Sequence, residues 1–137
     1  IQYAFYNRGR TFYFSRQYVT ERFTIQGGYH AMEQLLNQFP DVTAVVVMSD
    51  VMAIGAMRDA ADRGLKIPED LSIIGFDGLE IAEYSIPRLT TIKQDTEQMA
   101  ERAVDILTNT IKELNPAVYE EIPFTFVEGE SVRDLHK

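Results

Sequence analysis

The stretch that decides the fold is KIPEDLSIIGFDGLEIAEYSIPRLTTIKQD, residues 66–95. It contains a short apolar run at residues 71–76, which ends abruptly at Asp77 and Gly78. Short unbroken apolar runs of this kind are typical of strands buried in a parallel sheet. A second β-prone run follows at residues 89–94. The pattern therefore predicts two strands, with a carboxylate at the carboxyl end of the first.

Similar elements flank this stretch on both sides. Residues 43–48, TAVVVM, predict another strand buried on both faces, and residues 51–63 predict a helix that Gly64 ends. The further predicted elements are a strand at 18–23, a helix at 27–39, a helix after Asp95 with Gln98 as its capping-box partner, and a last strand at 122–127. Strands that alternate with helices over short connections form right-handed parallel crossovers. We therefore expect an α/β fold with a parallel sheet in a three-layer αβα arrangement.

The lead-in, residues 1–16, is rich in aromatic side chains and is left unassigned. The runs YAFY and TFYF flank NRGR, so a hairpin with Gly9 in its turn is one interpretation. A frayed helix is the other, and the sequence does not separate the two.

Composition excludes several classes of function. The 137 residues suit one domain, and the net charge of −8 argues against a broad phosphate-binding face on this chain. There is no cysteine, and the two histidines, His30 and His136, lie far apart, so we predict no metal site. No apolar run is long enough to cross a membrane. Known catalytic motifs are absent, which predicts a non-enzyme without a cofactor.

Candidate ligand-binding residues lie where the predicted strands end, because open α/β sheets bind ligands outside the carboxyl ends of their strands. Asp77 either caps a turn or binds a ligand, and we favour the ligand. For Asp50 a helix cap is favoured over ligand contact, and for Ser49 the two are balanced. Phe23 is either core or a flat platform under a ring, with core favoured from spacing alone. Gln94 is interpreted first as an ordinary polar residue at a strand end, and ligand binding is its secondary role.

Two blocks of sequence carry a family resemblance. The segment MSDVMAIGAMRDAADRGLKIPEDLSIIGFDG, followed by PRLTTIKQD, resembles the effector-binding domain of the LacI/GalR family of bacterial transcription regulators. The resemblance covers about residues 17–128. It implies a type I periplasmic-binding-protein-like fold, of which residues 17–137 form the C-terminal part. The DNA-binding head and the first subdomain are not in this sequence, which begins at Ile1 without a methionine and so reads as a fragment.

The resemblance also implies a function and a site. A sugar or purine-like effector would bind at the cleft between subdomains through Asp77, Ser49, Phe23, Gln94 and Asp50, and would shift DNA-binding competence. The family implies a homodimer, operator contact only through the absent head, no membrane association and a cytoplasmic location.

The dimer candidates come from two segments. On helix 51–63 the face of Met52, Ala56 and Ala60 is predicted to be core, which leaves Ile54 and Met57 for a partner subunit. Tyr84 and Ile86, beyond Asp77, complete the predicted apolar patch. The alternative function is an extracytoplasmic sugar-binding protein of a transport system. A small α/β enzyme that uses Asp77 as base or nucleophile is a weaker rival, since no partner group is evident.

Overall fold

The structure, a computed structural model, describes residues 2–13, 17–113 and 119–135. The helices are α1 (Gln2–Tyr6), α2 (Ile25–Gln38), α3 (Asp50–Asp62), α4 (Glu80–Glu83) and α5 (Thr96–Glu113). The strands are β1 (Ala44–Val46), β2 (Ser72–Asp77), β3 (Thr90–Gln94) and β4 (Phe124–Val127). The predicted elements are thus present between α2 and β4, with boundaries that differ from the prediction by at most two residues.

Within the described residues the strands form a four-stranded sheet in the order β1-β2-β3-β4. The pairs β1–β2 and β2–β3 are parallel, as predicted, whereas β4 runs antiparallel to β3. The sheet is therefore mixed: the predicted parallel arrangement is confirmed for β1, β2 and β3, and β4 adds an antiparallel strand. The reason is the route of the chain, since Phe124 enters the sheet opposite Gln94, at the same end where β3 leaves it.

The core lies between α2, α3 and one face of the sheet. Its fully or nearly buried apolar side chains include Met32, Leu36, Met52, Ala53, Ala56, Ala60, Leu71, Ile73 and Leu89. The predicted core face of α3 is thereby confirmed. The two helices cross at Gly28 and Gly55, where an added Cβ would overlap the backbone carbonyls of Met52 and Ile25. Burying a leucine- or methionine-sized side chain contributes roughly 1.5–3 kcal/mol, so this cluster is the main source of stability.

The opposite face of the sheet is only partly covered. Its residues, which the strand register places side by side, are Val46, Ile74, Phe76, Ile92 and Phe126. All are half-buried or exposed. The described side chains of α5 are also exposed, apart from the half-buried Ile106. In the described part of the chain, α5 therefore does not supply the second helical layer of the predicted three-layer arrangement.

β1 is less buried than the sequence predicts. It lies at the edge of the sheet, its middle residue Val45 is half-buried, and Val46 is exposed. An apolar run alone cannot distinguish a central strand from an edge strand, because both contain the same residue types.

The amino-terminal segments also correct the prediction. Gln2–Tyr6 is helical and is followed by a turn with Gly9 at φ 67°, so the helix interpretation of the lead-in holds over these residues. Residues 18–23 form no strand. Their β-branched and aromatic composition favours a strand, but strand formation requires a partner edge, and they do not pair with β1.

No helix in the described ranges combines the length and the apolar character that crossing a bilayer requires.

Candidate functional site at the carboxyl end of the sheet

Asp77 is the last residue of β2 and has an unusual backbone. Its φ of 115° lies in the region that side-chain-bearing residues rarely adopt. Its Oδ1 accepts a 2.9 Å hydrogen bond from Nε2 of Gln94, the last residue of β3. Strained backbone of this kind is concentrated at functional sites. The structure thus brings together two of the predicted ligand-binding residues, with the half-buried Asp77 carboxylate at the rim of the sheet.

The small size of Gly78 serves close packing against β3 and does not open space for a ligand. Its φ is 75°, and an added Cβ would overlap the side chain and Cα of Lys93 on β3. The space beside Gly78 is therefore filled by β3 and is not left open for a ligand. Glycine is required here because the chain turns through a left-handed conformation directly against the neighbouring strand.

Asp50 is a structural residue. It is fully buried, and each carboxylate oxygen has a partner. Oδ2 accepts a 2.7 Å hydrogen bond from the backbone N–H of Leu79, and Oδ1 accepts a 2.6 Å bond from Oγ1 of Thr91. This corrects the prediction of ligand contact for Asp50, and of capping by its side chain, since the carboxylate instead ties the start of α3 to the turn after Asp77 and to β3.

Ser49 is the N-cap residue of α3 and lies just beneath the rim, 5% exposed. Its backbone is extended, and its side chain makes no capping hydrogen bond. The hydroxyl is therefore not used to cap the helix. Of the two interpretations of Ser49, the absence of a capping bond favours contact with a ligand over helix capping.

Phe23 lies at a bend just before α2 and is 69% exposed, so the core interpretation is wrong. The next residue, Thr24, caps α2 by accepting a 2.9 Å hydrogen bond from the Gly27 N–H. Because α2 and α3 meet near their amino ends, this cap places Phe23 on the same side of the sheet as Ser49. The exposed ring lines an apolar cavity together with Met48, and neither Asp77 nor Gln94 lines that cavity.

Two predicted dimer residues are placed differently from expectation. Met57 is 7% exposed and belongs to the core, and Ile54 is partly buried against the same cluster. The helix packs against both α2 and the sheet, so it buries a wider arc of its surface than the single apolar stripe predicted from the sequence. Tyr84 and Ile86 are 76% and 96% exposed, and their location on the surface agrees with the predicted patch.

Thr91 is a buried residue that supports the start of α3 through Asp50 and that the sequence did not single out. It is buried and donates to Asp50, although it reads only as one of several β-prone residues in LTTIKQ. The single available signal is that a hydroxyl in a buried strand needs a partner.

Comparison with known proteins places this geometry in a family. Residues 8–132 match the model of the periplasmic binding protein-like domain. The chain is 43% identical over 83 residues to the HTH-type transcriptional regulator MalR of Clostridium butyricum, a match that covers 61% of this chain and 25% of MalR. It is 43% identical over 89 residues to the transcriptional repressor PurR of Salmonella paratyphi B, with 65% and 26% covered. The matched region thus spans about a quarter of each relative's length.

Solved structures give the same result. A transcriptional regulator CelR–cellobiose complex superposes with a TM-score of 0.85 at 29% identity, covering 95% of this chain and 40% of that one. A LacI-type transcription regulator from Bifidobacterium animalis superposes with a TM-score of 0.82 at 30% identity. The match covers 96% of this chain and 48% of that one. The lac repressor dimer bound to operator superposes with a TM-score of 0.73 at 32% identity. The match covers 80% of this chain and 38% of that one. The chain belongs to the periplasmic binding protein-like domain family, and it is similar to part of the LacI-type transcription regulators in that family.

Proposed function

We propose that this chain binds a small polar effector at the carboxyl end of its sheet and so controls transcription by a longer protein. The observation that carries the proposal is the pairing of Asp77 and Gln94 at the ends of two adjacent parallel strands. Asp77 is held in a strained backbone conformation, and strain of this kind is concentrated at functional sites. The relatives named above are transcription regulators, and the CelR structure is a complex with cellobiose.

The chemistry of the pair defines the class of effector. The Asp77 carboxylate accepts hydrogen bonds from hydroxyl or N–H donors, and such charge-assisted bonds are about twice as strong as neutral ones. The Gln94 amide both donates and accepts, so it can bind a neighbouring group of the same molecule. The exposed ring of Phe23 suits the flat apolar face of a ring. A sugar or a purine has both features.

The proposed mechanism is a shift between conformational states. The effector favours one closure of the cleft, and this changes how two DNA-binding heads are spaced across a dimer. This chain supplies no broad basic face, since its net charge is −8, so operator contact is assigned to a separate head. In this proposal the protein is cytoplasmic and catalyses no reaction.

The proposed dimer contact is the exposed patch around α4. Tyr84 and Ile86 project from the segment after this helix, and Leu79 and Ile81 are also exposed next to it. A cluster of exposed large apolar side chains marks an interaction surface. Ile54 and Met57 are not part of this patch, because they pack toward the core.

Titration calorimetry with cellobiose, maltose, ribose and hypoxanthine tests the effector site. We expect one of these to bind, and Asp77→Asn to weaken that binding by roughly thirtyfold or more, since losing a buried charged partner costs on the order of 2–5 kcal/mol. The matched control is Asp41→Asn, an exposed aspartate in the turn after α2, which should bind like the parent. Binding by Asp77→Asn within about threefold of the parent would show that Asp77 is a turn residue and that the site is elsewhere.

A further inference from the structure

One buried carboxylate, that of Asp50, joins the candidate site to the exposed patch around α4. Its Oδ2 accepts a 2.7 Å hydrogen bond from the Leu79 N–H, and its Oδ1 accepts a 2.6 Å bond from Oγ1 of Thr91. Both Asp50 and Thr91 are buried, so neither side chain reaches a ligand or a partner subunit by itself. Any effect of Asp50 on binding or assembly is therefore transmitted through the groups that it holds.

The segment that carries the patch is short and is held at both ends. It begins at Leu79, the N-cap residue of α4, and Ala82 within this helix is buried. At the other end, the Leu89 N–H donates to the carbonyl oxygen of Ala82 and to Oγ of Ser85, each at 3.0 Å. The exposed side chains of the patch lie between these two fixed points, so the position of Leu79 sets theirs.

The first fixed point follows directly on the strained turn of the candidate site. Asp77 has a φ of 115° and Gly78 a φ of 75°. A residue other than glycine keeps such a backbone only while the surrounding contacts hold it there. Gln94 holds the carboxylate of Asp77 on one side, and Asp50 holds the Leu79 N–H on the other. Residues 77–79, called the coupling turn, are thus held from both ends.

We propose that the coupling turn is a two-state element that links effector binding to dimer assembly, with Asp50 as its positioning residue. The structure shows the held state. In the second state Asp77 returns to an ordinary backbone conformation and the Leu79 N–H leaves Asp50. An effector bonded to the Asp77 carboxylate favours the held state, and so does a partner subunit packed on the patch around α4. Each event then strengthens the other by the same factor. The inference rests on the proposed effector site and dimer contact.

The buried charge makes the held state the preferred one in the free protein. A buried carboxylate that loses one of its two donors is left partly unpaired, which is unfavourable. Asp50→Asn keeps the shape of the side chain but replaces one acceptor oxygen with an NH₂ group, which then faces a donor. Thr91→Val removes one donor and keeps the carboxylate. Both substitutions should loosen the coupling turn without altering a side chain of the rim or of the patch.

Sedimentation equilibrium of the whole chain without ligand gives the first measurement. We expect Asp50→Asn and Thr91→Val each to weaken dimer association by about tenfold, a common size of coupling between two sites. The matched control is Asp59→Asn, because Asp59 is also a buried carboxylate on α3 but bonds to Arg63. Its dimer should dissociate within about threefold of the parent. Circular dichroism confirms folding, and a purely structural role of Asp50 would lower stability without changing the dimer constant of the folded protein.

Sedimentation with saturating cellobiose, maltose, ribose or hypoxanthine gives the second measurement. A probe that binds the parent in calorimetry should tighten its dimer by about tenfold, and Asp50→Asn should lose most of this shift. The proposal is overturned if the parent forms no dimer, or if both variants assemble like Asp59→Asn. A probe that binds without changing the dimer constant also overturns it and leaves the proposed effector site standing. If no probe binds, the proposed function fails its own test, and the ligand-free comparison still decides whether Asp50 controls the patch.

Discussion

Nε2 of Gln94 lies 2.9 Å from Oδ1 of Asp77, and this hydrogen bond joins the last residues of two adjacent parallel strands. In the register of the sheet, Asp77 is opposite Lys93, so Gln94 reaches across from one position further along β3. The bond fixes the carboxylate at the rim of the sheet.

This bond has a measurable coupling energy. A double-mutant cycle with Asp77→Ala and Gln94→Ala, each of which removes the hydrogen bond, should give a coupling of about 1 kcal/mol in urea unfolding, typical of a partly exposed side-chain hydrogen bond. Asp77→Asn alone should change stability little, because asparagine tolerates left-handed backbone well. Additive effects of the two substitutions would mean that the pair is not formed in solution.

Gly78→Ala should destabilise the fold more than an ordinary loss of a turn glycine. An L-residue with positive φ costs roughly 1–2 kcal/mol, and at Gly78 the new methyl also overlaps Lys93. Gly64 is the matched control, since its φ is 76° and a Cβ added there would meet nothing within 4 Å. Urea unfolding of the two variants compares them directly, and equal losses would show that β3 does not pack against the turn.

Ile86→Asp should shift the chain from dimer to monomer while circular dichroism remains that of the folded protein. Ile86 is 96% exposed, so its replacement disturbs no core contact, and an aspartate placed in an apolar interface is strongly unfavourable. Sedimentation velocity gives the oligomeric state. Phe124→Asp, at an exposed position on β4, is the control and should not change it. If Ile86→Asp sediments like the parent dimer, the patch around α4 is not the interface.

The contribution of Asp59 to stability should fall as the pH rises through the acidic range. Burial raises the pKa of this carboxyl above its ordinary 3.8, although the neighbouring Arg63 acts in the opposite direction. The native state then holds its proton more tightly than the unfolded state, so the contribution of Asp59 to stability is greatest below pH 3.8 and is lost as pH rises through the native pKa.

Urea unfolding of the parent and of Asp59→Asn between about pH 3 and 6 measures this dependence. The difference in unfolding free energy between the two should move in favour of the variant as pH rises. A difference that moves the other way would show that the 2.9 Å ion pair between Arg63 Nε and Asp59 Oδ2 outweighs burial.

The helix α5 should open more readily than the sheet. Met99, Val104 and Leu107 are 42%, 63% and 62% exposed, so α5 lacks the packing that stabilises most protein helices. In hydrogen exchange of the Ile86→Asp variant, amides in the middle of α5 should exchange faster than that of the fully buried Ile73 on β2. Equal protection of the two elements would show that α5 packs in solution.

Local signals in the sequence determined much of this protein. The apolar runs at residues 43–48 and 71–76 predict β1 and β2, the stripe of Met52, Ala56 and Ala60 predicts the core face of α3, and Gly64 ends that helix at φ 76°. Asp95 likewise caps α5 by accepting a 3.0 Å hydrogen bond from the Gln98 N–H. Such features depend on residues three or four positions apart, and so they can be read along the chain.

Tertiary structure alone decided the remainder. Asp50 and Asp77 both follow a strand in the sequence, yet one is buried between Leu79 and Thr91 and the other lies at the rim beside Gln94. The burial of Met57, the exposure of Phe23 and the failure of residues 18–23 to pair also depend on partners distant in sequence. Burial and strand pairing are properties of contacts between elements, and residue type and spacing do not specify which element lies opposite.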